Sequence, residues 1–205
     1  MAAEIVRMSR VFGLIQRKRC DSEDEWKQFR RGYLTASDFG AIRGHNPYKS
    51  RREVILEKKF NRSQAQTAFM RDGLNREQQI ADTFAAQTGL KVSRVDYFLF
   101  SDDHKIGASL DRIVTDAQGN LVPLELKTVG DRTFRKYWRS GPPTYVSDQL
   151  WLQSALLGEC SYGYIASYNR DTDMHKCFRV DLREADYASI TKIASEFWED
   201  YKRQS

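Results

Sequence analysis

The segment Leu121-Val122-Pro123-Leu124-Glu125-Leu126-Lys127 is almost wholly apolar, yet it carries an acid and a base two residues apart. A strand of this composition belongs inside a sheet, covered on both faces. A charge there is costly unless it is paired or used. The preceding residues, Asp116-Ala117-Gln118-Gly119-Asn120, read as a hairpin loop, with Ser109–Thr115 as the partner strand. Centring the loop on Gln118 puts Asp111 opposite Glu125, with Cα atoms about 5 Å apart. Glu125 and Lys127 share one face of their strand, because side chains alternate. Two carboxylates and one ammonium thus converge.

Neighbouring carboxylates stay ionised together only beside a compensating cation. Carboxylate oxygens suit hard ions such as Mg²⁺ or Mn²⁺. Lys127 is placed to hold a water or to offset charge developing on a phosphoryl group. That is a kit for hydrolysing a phosphodiester. The same spacing also describes a solvated hairpin face with a weak salt bridge. The apolar context of the strand separates the two readings.

Around this centre the chain alternates helical and strand-like segments. Residues 2–16 suggest an amphipathic helix. Capping boxes at Ser22-x-x-Glu25 and Ser50-x-x-Glu53 open helices that run to Gly32 and to about Phe60. A short helix is expected over 35–43, and a longer one over 74–88 with Leu74, Ile80 and Phe84 near one face and Glu77 beside it. Strands are expected at 91–100, 109–115, 121–128, 161–168 and 174–181, and helices near 131–139, 145–157 and 183–203. The order predicts an α/β chain: one central mixed β-sheet flanked by helices. A single domain is expected over 1–205, with a core of about 22–182 and helical extensions at both ends.

The net charge of the 205 residues is +5, compatible with a polyanionic partner. Basic groups recur at Arg17-Lys18-Arg19, Arg51-Arg52 and Lys58-Lys59. Arg132, Arg135 and Arg139 share one helical face, interleaved with Phe134, Tyr137 and Trp138, and suggest a DNA-facing or subunit-facing helix. Phe69 and Met70 suit either a wedge between strands or the core. Three scattered cysteines, Cys20, Cys160 and Cys177, signal neither a zinc site nor a disulfide framework, so a reducing, cytoplasmic compartment is expected. No segment reads as a signal peptide or membrane span, and the Asn61-Arg62-Ser63 sequon is read as chance. The absence of a G-x-x-x-x-G-K loop argues against ATP-driven activity.

Asp111, thirteen residues and then Glu125-Leu126-Lys127 resembles the D…(D/E)-x-K signature of the PD-(D/E)xK nucleases. The flanks resemble a narrower group, the phage lambda exonuclease or YqaJ-type viral recombinase family. Arg30-Arg31-Gly32-Tyr33-Leu34-Thr35-Ala36-Ser37, the loop Gly44–Ser50, Gly73-x-x-x-Glu77, Gly107-Ala108-Ser109-Leu110-Asp111 and the helix of Gln149 and Gln153 follow its order. Two positions depart from the family: Ser109-Leu110-Asp111-Arg112 replaces Ser-Pro-Asp-Gly, and Trp151 replaces the middle glutamine.

The resemblance implies a restriction-endonuclease-like core. It implies Mg²⁺-dependent 5′→3′ digestion of one strand of linear double-stranded DNA from a 5′-phosphorylated end. It also implies a ring-shaped homotrimer, a single-strand annealing protein as partner, and a bacterial host cytoplasm. By position, Asp111, Glu125, the Leu126 carbonyl and Glu77 would bind metal, and Lys127 would position the water. Arg30, Ser37, Ser109 and Gln149 would surround the 5′-phosphate. The alternatives are a restriction or repair endonuclease, and a non-catalytic DNA-binding or assembly protein on the same fold.

Overall fold

A computed structural model describes residues 3–60, 68–182 and 187–204. The chain runs β1 (Glu4–Ser9), β2 (Gly13–Lys18), α1 (Glu23–Arg31), β3 (Leu34–Thr35), α2 (Ala36–Ile42) and α3 (Arg51–Phe60). It continues through α4 (Ala68–Thr88), β4 (Lys91–Arg94), β5 (Phe98–Ser101), β6 (Ile106–Ser109), β7 (Arg112–Thr115) and β8 (Leu121–Val129). It closes with α5 (Asp131–Tyr137), α6 (Thr144–Leu157), β9 (Tyr162–Asn169), β10 (Met174–Asp181) and α7 (Tyr187–Arg203). Asn61-Arg62-Ser63 and the side chains of Phe69 and Met70 lie outside the described residues.

The α/β class holds, but the strands divide between two mixed sheets rather than one. The first has the order β1-β2-β5-β6-β3 and the second β10-β9-β8-β7-β4. Each is antiparallel except for one pair, β3–β6 in the first and β8–β9 in the second. Two expected strands are each cut by the passage between sheets. Residues 91–100 become β4 and β5, and 109–115 becomes the end of β6 and the whole of β7. Leu110 and Asp111 form the second crossing.

The segment expected as a helix at 2–16 is the β1–β2 hairpin. Pairing of β2 with β5 decides this, because it buries Ile15 and leaves Ile5 and Met8 exposed. The N-terminal segment is thus part of the first sheet rather than a helical extension. Both capping boxes form. Ser22 Oγ accepts the Glu25 N–H at 3.1 Å. Ser50 and Glu53 bond reciprocally at 3.3 and 2.7 Å. Helix α4 starts earlier than expected, and Leu74 is exposed while Ile80 and Phe84 are buried.

Helix α6 holds the two sheets together. Nine of its 14 residues are buried, including Asp148, Gln153 and Ser154. A helix with so little exposed surface has neighbours on nearly every side. Leu152, Ala155 and Leu156 join the core of the first sheet, and Val146 and Leu150 join Ile165 of the second. Helix α2 lies against α6 at Gly40, where an added Cβ would come within 2.8 Å of the Tyr145 Cα and carbonyl oxygen.

Gly40→Ala should therefore force α2 away from α6 and cost about 1–3 kcal/mol. Urea denaturation should show a lower midpoint with an unchanged slope; an unaltered midpoint would contradict this packing.

Candidate active site

Strand β8 carries the centre. The expected register holds, with Arg112 facing Leu124, Ile113 facing Pro123, Val114 facing Val122 and Thr115 facing Leu121. One step further brings Asp111 beside Glu125. The loop that sets this register is locked by Asp116, whose Oδ1 accepts the N–H groups of Gln118 and Asn120 at 2.9 and 2.7 Å.

Glu125 is 1% exposed. Its Oε1 meets Lys127 Nζ at 2.5 Å and accepts from Gln149 Nε2 at 2.7 Å. Its Oε2 accepts from Gln153 Nε2 at 2.6 Å. Lys127 in turn donates to Gln149 Oε1 at 3.1 Å, which closes a triangle around the carboxylate. Gln153 also reaches the Ser109 carbonyl at 3.1 Å and ties the end of β6 to the same point. A buried carboxylate needs this density of donors, since each unmet lone pair costs desolvation energy.

Asp111 stands differently. Its Oδ2 accepts the Leu126 N–H at 2.8 Å, and among the described residues it makes no ion pair. Burial, followed by the Glu125 charge, pushes its pKa well above the ordinary carboxylate value, and Lys127 offsets this only in part. Burial pulls Lys127 downward, but Glu125 and Asp111 more than reverse it, so the ammonium stays charged. Glu77 is raised by burial and feels the Glu125 charge. It faces Arg112 at 3.5 Å, and Arg112 NH1 also donates to the Asp111 carbonyl at 2.6 Å.

Among the described residues no three His, Cys, Asp or Glu side chains converge as a metal cage. The donor set nevertheless fits one class of ion. It offers carboxylate and carbonyl oxygen without thiolate or imidazole, the chemistry of a hard divalent cation. Asp111 makes no ion pair among the described residues and feels Lys127 only in part, and such an ion would complete its compensation.

A second cluster lies where β3 runs beside β6. Arg30 donates to Ser37 Oγ at 3.0 Å and stacks 4.2 Å from the Trp26 ring. Thr35 bonds Asp38 at 2.7 Å, and Asp38 is held by Lys49 at 3.0 Å and Lys58 at 3.3 Å. Ser109, on the strand paired with β3, has a buried hydroxyl with no partner among the described residues. A lone buried donor calls for an acceptor that the protein does not supply.

The arrangement thus brings together Asp111, Glu125, Lys127 and Gln149, and places Glu77 beside them through Arg112. Arg30 joins Ser37. Arg132 and Arg135 are exposed on α5, and Arg139 is exposed beyond its end. None of the three bonds to the carboxylate centre, and Arg135 turns to Asp131 at 2.7 Å. Phe134 and Trp138 point inward. Gln153, Arg112 and Asp148 are contributors that the sequence reading did not assign. The spacing of Gln153 from Gln149 was the available signal, since residues four apart share a helix face.

The sequence profile of the YqaJ-like viral recombinase domain matches residues 25–156. The chain belongs to that family. No curated protein matches it significantly. Among solved structures, an alkaline exonuclease from Laribacter hongkongensis, LHK-Exo, superposes with a TM-score of 0.71 at 22% identity, covering 88% of this chain and 93% of its own. The LHK-Exo complex with dAMP gives 0.69 at 21% identity and the same coverage. A phage-related exonuclease from Haemophilus somnus 129PT gives 0.56 at 11% identity, over 87% of this chain and 99% of its own. At these identities the likeness carries the fold, and the YqaJ-like fold is the one described above. The described residues contain no helix long and apolar enough to cross a membrane.

The Asp38 network yields a pH prediction. Burial alone would raise Asp38, but Lys58 and Lys49 hold it down at about 2. An unfolded aspartate titrates near 3.9. The stabilisation is therefore complete above that value and lost as pH falls toward 2. Lys58 has 8% of its side chain exposed. Asp38→Asn should thus cost about 3–5 kcal/mol at neutral pH by stranding that ammonium. It should also flatten the stability profile between about pH 4 and 2. An acid limb like the wild type's, read by denaturant melts, would contradict the assignment.

Proposed function

We propose that this YqaJ-family protein is a metal-dependent exonuclease. It degrades one strand of linear double-stranded DNA, 5′→3′, from a 5′-phosphorylated end and serves phage-type recombination by strand annealing. The observation that carries the reading is the pairing of two unlike carboxylates. Glu125 is compensated by Lys127, Gln149 and Gln153, and Asp111 beside it has no ion pair among the described residues and only partial relief from Lys127. A fold with no use for a cation at this point would have little reason to keep Asp111 there.

In this reading Asp111, Glu125 and the Leu126 carbonyl hold a Mg²⁺ ion, with Glu77 nearby. When bound, the ion supplies Lewis-acid charge at the phosphoryl oxygens. Lys127 orients the attacking water and offsets negative charge on the phosphorus centre. Gln149 fixes the Lys127 ammonium, so it acts on that lysine as well as on the strand. Arg30, Ser37 and Ser109 receive the terminal phosphate. A guanidinium presents a fork of donors that matches phosphate oxygens, and the unpartnered Ser109 hydroxyl supports the same role. Exposed Arg132, Arg135 and Arg139 follow the phosphate backbone at a distance. A ring-shaped homotrimer, a single-strand annealing partner and a cytoplasmic setting belong to the same proposal and rest on the family.

Lys127→Ala should lower kcat on linear duplex DNA by about 10²–10⁴-fold. The far-UV spectrum and DNA affinity in EDTA should be retained at about 25 °C, with a lower unfolding midpoint, because Glu125 loses its ammonium but keeps both glutamine donors. Turnover close to the wild type's would remove Lys127 from the mechanism. Arg30→Ala should bring the cleavage rates of 5′-phosphorylated and 5′-hydroxyl ends toward one another, since a charge-assisted bond contributes about 1.5–3 kcal/mol. An unchanged ratio would exclude Arg30 from the end pocket.

A further inference from the structure

Helix α6 presents Tyr145, Gln149 and Gln153 along one face, each four residues from the next. Gln149 and Gln153 bond Glu125. Tyr145 lies one turn closer to the helix start, about 6 Å along the axis. Beyond Tyr145 opens a groove of about 530 Å³ whose walls include His45, Pro47, Tyr137, Pro142, Pro143 and Tyr145. This is the size of a ligand site rather than a packing defect.

The lining combines the rings of His45, Tyr137 and Tyr145 with three prolines and the small residues Ser140, Gly141 and Thr144, and Tyr48 stands next to it. Tyr48 is 62% exposed and meets Tyr145 edge to face at 6.2 Å. His45 is held by its Nδ1 on Asp148 Oδ2 at 2.7 Å, which leaves Nε2 for a ligand. Asp148 is buried and also grips Arg43, whose guanidinium lies 4.8 Å from the Trp151 ring. The histidine ring is therefore fixed in place rather than free to turn. Lys136 Nζ lies over one face of the Tyr137 ring at 4.7 Å, a cation next to this wall of the groove. Groove walls with aromatic and proline faces and a cation beside them suit one polymer in particular, a single nucleic-acid strand. Bases stack on the rings and phosphates follow the charge.

We propose that this groove binds unpaired nucleotides of a DNA strand on their way to or from the carboxylate centre. His45 and Tyr137 serve as stacking surfaces, and Asp148 is the residue that positions His45. The inference rests on the exonuclease reading for its direction, but binding in the groove requires no cleavage. Stacking of this kind is insensitive to sequence, because every base has a π-face. The groove therefore favours any free strand over a fully paired one.

The test uses the whole chain and a single-stranded oligonucleotide with 2-aminopurine near its 5′ end, titrated in EDTA so that nothing is cut. Stacking should quench the emission of the wild-type complex. The double variant His45→Ala, Tyr137→Ala should bind about tenfold more weakly, the loss of roughly one stacked base, and should leave the emission unquenched. Its dependence on salt should stay the same, since no cation is removed. Tyr137→Phe keeps the ring and should keep the binding, which separates loss of stacking from loss of fold. Equal affinity and equal quenching in the double variant would overturn the groove. Digestion of a linear duplex with Mg²⁺, run in parallel, tests the exonuclease reading separately. A wild type that stacks the base and cuts nothing would refute only that reading, and a double variant that binds normally while the wild type cuts would refute only the groove.

Discussion

The structure depends on a single buried charge. Glu125 sits inside β8 at 1% exposure, and the fold is arranged to satisfy it. Three donors reach it, one from its own strand and two from α6. For the glutamines to face the strand, α6 must lie across the second sheet. For Gln153 to reach Ser109, the end of β6 must come to the same place. One carboxylate and its glutamine partners thus tie α6 to both sheets. Removing its cation would leave an uncompensated charge, the most destabilising kind of change in a core.

The neighbouring Asp111 is held in a different way. It occupies the point where the chain leaves the first sheet and enters the second, and its Oδ2 is held by a backbone N–H of β8. The crossing itself orients it. Arg112, where the family often has glycine, ties the Asp111 carbonyl to Glu77 and places a fixed cation behind the pair. In the proposed reading the cation and the phosphate would approach from the other side of the pair. The same face of α6 carries Tyr145, one turn away, into the lining of the groove.

Much of this was legible in the sequence, for identifiable reasons. The register of β7 and β8 followed from the loop alone, because Asp116, Gly119 and Asn120 admit a narrow set of turns and the strands inherit their pairing from it. The capping boxes at Ser22 and Ser50 were equally local. What was not legible was decided at long range. Residues 2–16 read as a helix because nothing within them reveals that β5 will pair with Gly13–Lys18. The division into two sheets was hidden because a chain can change sheets at Asp96 or at Leu110 without breaking its hydrophobic pattern. Gln149 read equally well as a polar helix surface. Only its position opposite Glu125 turns it inward, and Gln153 follows for the same reason. His45 showed no ligand spacing, since its partner Asp148 lies on a distant helix.

The central question is whether the Asp111–Glu125 pair works as a cation-dependent centre acting at DNA ends. Its most direct test is digestion of a linear duplex with one 5′-phosphate and one 5′-hydroxyl end, in Mg²⁺ and in EDTA, beside a closed circle. The account predicts metal-dependent loss of the phosphorylated strand with the circle intact. A cut circle, or equal digestion in EDTA, would contradict it.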